Sequence, residues 1–359
     1  MSAASNFIAS LVLAVAGLQA TAAAETLLVV RKTDDALDLM DPGSGLRLAS
    51  VALGHAPHEV SVSPDGKRAA VTNYGTRERP GSTLSIVDLE QPREIRRIEL
   101  APHTRPHGVA WFAPDRIAVT TEGTKHLVIV DPGAGRVVSA IETGQELSHM
   151  VAVSADATRA YVTNIGSGTT TALDLVAGRK LGDIATGAGS EALAVTPNGR
   201  DLWVAARAAG EIAVVDTATL AVLARLPLPG IPIRIAMTPD GDTALVTCAG
   251  SSELVAYDVA TRTVRTRVKV DVPLAPDAAG RPFARLAPGS ALPVGLLVAR
   301  DGRSAFVAAT MADRVVQYDV STLAPSRIIE VGGEPDGLGS TTVLQAAPCH
   351  ACDSPTPPN

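Results

Sequence analysis

Aromatic side chains are scarce in this sequence: four Phe, four Tyr and two Trp among 359 residues. Few rings are therefore on hand to stack unpaired bases. Positive charge is not in excess either, with 31 Lys and Arg against 37 Asp and Glu. Nucleic-acid affinity comes mostly from Lys and Arg on phosphates, so this balance argues against broad nucleic-acid binding. There are three cysteines. Cys349 and Cys352 form a CHAC pair in a Pro-rich tail spanning 342–359, where a local disulfide or two free thiols is expected. Asp353 follows the second cysteine where a c-type haem signature has His, and one CxxC falls short of the four ligands of structural zinc. The chain lacks a G-x-S-x-G elbow, a P-loop, a dinucleotide glycine motif and the H-E-x-x-H spacing of zinc proteases.

Hydrophobic residues make up 46% and charged residues 19% of the chain, enough to bury a large core. The apolar run from Phe7 to Leu18, followed by Ala22-Ala23-Ala24, reads as a secretory signal over residues 1–24. It is too short for a comfortable membrane span, and no other stretch approaches that length. The expectation is an exported, periplasmic or secreted protein with no membrane span in the mature chain, acting as a monomer.

A phrase recurs along the chain. SPDGKRAAVTN (63–73) returns as SADATRAYVTN (154–164), TPNGRDLWVAA (196–206), TPDGDTALVTC (238–248) and ARDGRSAFVAA (299–309). Each copy precedes a segment ending in Asp, such as EIAVVD (211–216). A spacing of about 42 residues is that of four-stranded propeller blades. Within a blade, strands A to D run outward from the axis. Strand A precedes the PDG turn, strand B is the YVTN-type segment, strand C ends in Asp, and strand D follows. Strands B and C each occur seven times from residue 27 onward. Strand A is out of phase, first at 58–62 and last at 336–340. The fold class is therefore all-β, a seven-bladed propeller over 25–341. C-terminal strand A closes the ring against the N-terminal hairpin 26–53.

With Tyr161-Val162-Thr163-Asn164 in place, the chain resembles the YVTN-repeat, or YncE-like, family of seven-bladed β-propellers. The resemblance spans residues 26 to 341. It implies the fold and says little of activity. Single-stranded DNA binding, suggested for YncE-like proteins, is one activity it implies, and the acidic balance weakens it.

The start of strand A and the end of strand B share one face of the disc. Around the mouth of the channel, the residue entering strand A is His58, His107, His149, Glu191, Ile233, Val294 and Asp336 in turn. Five of these form a contiguous polar arc and make the candidate metal ligands: His58, His107, His149, Glu191 and Asp336. Imidazole and carboxylate suit a divalent transition metal. The ends of strand B add candidate ligand-binding residues Asn73, Tyr74, Glu122, Asn164 and Arg207. Two long loops, 73–82 and 273–292, belong to the same face, the second as a candidate lid. Three readings stay open. The arc could bind a small molecule, metal or protein partner at the channel mouth. It could serve a metal-dependent lactonase- or lyase-type enzyme, which such propellers resemble in architecture. Or each histidine could simply satisfy loop carbonyls.

Overall fold

The computed structural model describes residues 25–343. The expected signal segment and the CHAC pair lie outside them. Seven four-stranded antiparallel sheets form a ring. We number the blades by their inner strands: blade 1 Pro335–Thr341, blade 2 Pro57–Val62, blade 3 Pro106–Ala113, blade 4 Ser148–Val153, blade 5 Ser190–Val195, blade 6 Pro232–Met237 and blade 7 Pro293–Val298. Blade 1 is built from both ends of the chain. Pro335–Thr341 pairs antiparallel with Thr26–Arg31, setting Leu28 opposite Gly339. Among the described residues no helix is long and apolar enough to cross a membrane.

The repeat phrase explains the blades. In the SPDG turn, Asp65 takes the Ser63 hydroxyl at 2.5 Å and the Lys67 amide at 3.0 Å. The Asp that ends strand C starts the next turn. Asp216 Oδ1 accepts the amides of Ala218 and Thr219 at 3.0 and 2.7 Å, an Asx turn. Alternating residues of strands B and C point into the seams between blades, and an apolar cluster fills each seam. Blades 4 and 5 meet around Tyr161, Leu193, Leu202 and Val204, and blades 5 and 6 around Trp203, Val214, Val246 and Tyr257. Each such side chain is worth roughly 1.5–3 kcal/mol on burial, so the ring is held by its seams.

The segment 73–82 is mostly strand rather than loop. Strand B of blade 2 runs Arg68–Gly75 and strand C starts at Pro80, leaving only 76–79 as turn. Gly75 makes this possible. Its φ is +78°, and a Cβ there would lie 2.3 Å from backbone atoms of Arg79 and Gly81.

Candidate functional site at the channel mouth

The seven inner strands enter the mouth by one device. The residue two before each arc position has a positive φ: Ala56, Arg105, Leu147, Gly189, Ile231, Leu292 and Glu334. Its carbonyl accepts the amide of a residue at or just past the end of strand B, at 2.9–3.4 Å in all seven blades. Those donors are Lys32, Tyr74, Glu122, Ile165, Arg207, Ala249 and Thr310, and they form a second ring outside the arc. The Thr of the YVTN phrase then pins the neighbouring blade. Thr72 Oγ1 donates to the His107 carbonyl at 2.8 Å and Thr163 Oγ1 to that of Glu191 at 2.7 Å. Inner strands approach closely enough that a Cβ on Gly337 would lie 2.5 Å from the His58 carbonyl oxygen. The arc side chains are thus fixed from both sides.

The structure brings the five arc residues together, all buried. His107 sits between the other two, its ring tilted to both, with its centroid 4.3 Å from that of His58 and 3.7 Å from that of His149. The outer two histidines are held by carboxylates. His58 Nδ1 lies 2.6 Å from Asp336, and its Nε2 faces the Lys32 ammonium at 3.3 Å. His149 Nδ1 lies 2.6 Å from Glu122 and its Nε2 lies 3.2 Å from Glu191. Tyr74 donates to the other Glu122 oxygen at 2.5 Å, and Arg207 pairs with Glu191 at 2.8 Å. A connected chain therefore runs Tyr74–Glu122–His149–Glu191–Arg207. His107 stands apart from it, and among the described residues its buried Nδ1 meets no partner.

These environments split the three histidines. Burial, then the neighbouring His149 and His58, hold His107 well below the ordinary histidine range. Burial and Lys32 also lower His58, against the pull of Asp336. Burial opposes a charged ring at His149 too, but Glu191 and Glu122 outweigh it and push His149 up to about 9. Burial would raise Glu122 and Glu191, yet His149 brings both below the usual carboxylate range. Burial and Glu122 push Tyr74 up to about 12. The result is a neutral, unpartnered ring beside an imidazolium clamped by two carboxylates.

Above the arc lies a cavity of about 820 Å³. Its floor is the arc and its far wall is apolar. Residues 273–292 fold over blades 6 and 7 as two short 3₁₀ turns, Ala278–Gly280 and Pro282–Arg285. They bury the apolar gap of the arc in a small core with Ile233, Ala249, Leu292 and Met311, against which Phe283 and Val294 pack. Arg281 latches the segment to Asp313 and Asp277 at 2.7 Å, with Glu334 at 3.6 Å. Phe283 also faces the cavity and carries the Lys32 ammonium 4.3 Å above its ring.

Three of the expected ligand-binding residues, Tyr74, Glu122 and Arg207, line the cavity, and two do not. Asn73 gives its amide to Thr83 and Ser85 at 2.9 Å, and Asn164 to Thr169 and Thr171 at 3.1 and 2.9 Å. Both stay inside their blades. The physical reason is strand alternation, in which a one-residue shift turns a side chain to the other face. The residues that face the mouth are one step on, at Tyr74 and Ile165, and blade 1 adds Lys32. Sequence reasoning also missed Glu59 and Arg234. They follow arc positions His58 and Ile233, are buried, and pair with each other. Their inner strands belong to blades 2 and 6, which are not neighbours in the ring, so the pair crosses the channel beneath the histidines. Burial raises the Glu59 carboxyl against the pull of Arg234.

The family model for YNCE-like beta-propellers matches residues 114–278, from the A–B turn of blade 3 into the lid. Over that stretch the chain is similar to YNCE-like beta-propellers, and the seven four-stranded blades are those of a propeller. No curated protein matches the chain. Among solved structures, the Kuenenia stuttgartiensis hydrazine synthase superposes with a TM-score of 0.68 at 19% identity, over 83% of this chain and 93% of that one. A functionally unknown protein from Desulfotomaculum acetoxidans DSM 771 superposes with a TM-score of 0.71 at 15% identity, over 88% and 98%. At these identities the likeness is one of fold alone.

Proposed function

We propose that this propeller is an exported binding protein whose channel mouth takes a divalent transition metal, with a small organic ligand in the cavity above it. The metal ligands are His107 and His149, with Glu122 and Glu191 in reach. The observation that carries the reading is His107. A buried imidazole nitrogen without a partner costs roughly 1–3 kcal/mol, and here it stands next to groups able to share an ion. Ligand atoms of His107, Glu122 and His149 all lie within 4.8 Å of one another. His58 and His149 are each braced through Nδ1 by a carboxylate, the arrangement that orients a metal-bound histidine and raises its basicity. Mixed imidazole and carboxylate donors suit Zn, Cu, Ni or Fe. The same site would supply a Lewis acid to a lactonase- or lyase-type reaction. The cavity lining, six carboxylates against four Lys and Arg, favours a cation over the phosphates of single-stranded DNA.

Calorimetric titration of chelator-treated protein with Zn²⁺, Cu²⁺ and Ni²⁺ tests this, beside a His107→Ala variant. Saturable binding of at least one ion, weakened at least tenfold in the variant, supports the reading. Equal binding by both proteins, or none by either, refutes it.

A further inference from the structure

The position just below the arc carries Gly337, Glu59, Gly108, Met150, Ala192, Arg234 and Gly295 around the ring. Five are uncharged, and three of those are glycines that let inner strands close up. The two charged members are on blades 2 and 6 and bind each other across the channel. Glu59 has a second set of neighbours. Its carboxylate, a ring nitrogen of His58 and one of His107 form another triad with ligand atoms within 4.8 Å of one another. The two triads share His107, which is 3% exposed and whose Nδ1 has no partner among the described residues. They differ in one respect. The Glu122 triad holds no fixed cation of its own, whereas the Glu59 triad is already supplied with a guanidinium. That group stays charged at every accessible pH and cannot leave.

We propose that Arg234 is the resident cation of a second metal triad, His58–Glu59–His107, and that it confines the mouth to one metal ion on the Glu122–His149 side. This rests on the metal reading of the mouth given above. Around the arc four carboxylates, Glu59, Asp336, Glu122 and Glu191, face three fixed cations, Arg234, Lys32 and Arg207. That leaves one unmatched negative charge, so one divalent ion brings the set to a single excess positive charge, whereas two ions would leave three. A second ion at Glu59 meets Arg234 head-on, and like charges at such range in a buried site repel strongly. Glu59 is thereby a potential ligand held in reserve, and Arg234 sets both the number of ions and the side on which the ion binds.

The test counts metal ions per chain after Zn²⁺ loading and desalting, for the parent, Arg234→Met and the double variant Glu59→Gln/Arg234→Met. Arg234→Gln stands in if the Met variant does not fold, since its amide keeps a hydrogen bond to Glu59. The expected counts are one for the parent, two for the Arg234 variant and one for the double variant. A parent count of two, or an Arg234 variant that still takes one ion with unchanged affinity, overturns the proposal. A parent that takes none while the Arg234 variant takes one supports Arg234 as the resident cation and refutes the metal reading of the Glu122 side. Zero throughout overturns both.

Discussion

Glu122 and His149 come from neighbouring blades, yet their side chains meet at 2.6 Å in a buried site. Glu191 completes the clamp on the other ring nitrogen, so the metal-free His149 is an imidazolium. Its folded pKa, about 9, lies above the unfolded value of about 6.5. The stability this provides is complete below about pH 6.5 and is lost as pH rises through about 9. In metal-free protein an NMR titration should find the His149 ring still protonated at pH 8. Glu122→Gln, which keeps a hydrogen bond but removes the charge, should lower that transition by at least about one unit. A ring already neutral at pH 7 contradicts the assignment.

Thr163 couples two blades at the rim. Its hydroxyl donates to the Glu191 carbonyl at 2.7 Å and accepts the Met150 amide at 3.1 Å. Thr163→Val keeps the shape and strands both backbone groups, so a loss of roughly 1–3 kcal/mol is expected in urea unfolding. Stability within about 0.3 kcal/mol of the parent would show that the third letter of YVTN is dispensable.

Removal of the chain from residue 335 onward takes away the inner strand of blade 1 and leaves Thr26–Arg31 as an open inner edge. It also removes Asp336 from His58. The whole ring should lose its cooperative unfolding transition, because the seams of blades 7, 1 and 2 lose their closure together. A truncated chain with an unchanged Tm would contradict closure through this strand.

Arg281 is the latch of the lid, with Asp313 on the propeller body and Asp277 within the lid itself. Arg281→Ala should leave global stability within about 1 kcal/mol, since the lid has its own small core. It should sharply speed proteolysis between residues 276 and 289. Equal cleavage rates in the parent and the variant would mean that the apolar contacts of Phe283 and Leu292 alone hold the lid.

The blades were legible because the turn chemistry repeats at fixed offsets. PDG marks the A–B turn and the Asp that ends strand C marks the next, and both accept nearby backbone amides as their sequence implies. The histidine arc was legible for the same reason, as each member stands at a near-constant distance before an A–B turn. In the second ring Tyr74, Glu122 and Arg207 line the cavity, while Asn73 and Asn164 stop one residue short, because alternation turns Tyr74 and Ile165 to the mouth. The Glu59–Arg234 pair left no local signal at all. Its partners are 175 residues apart, and only ring closure sets them face to face. Nor does the sequence announce that His107 lacks a partner, since that depends on which rotamers its neighbours satisfy elsewhere.

The central claim is an ion at the His107–His149 side of the mouth. The most direct measurement is X-ray diffraction from metal-loaded crystals, recorded on both sides of the absorption edge of the bound metal. A single anomalous peak within about 2.0–2.3 Å of a His107 nitrogen and of a His149 nitrogen or a Glu122 or Glu191 oxygen is the expected result. A peak elsewhere, or a mouth without one in crystals whose solution binds metal, would contradict the account.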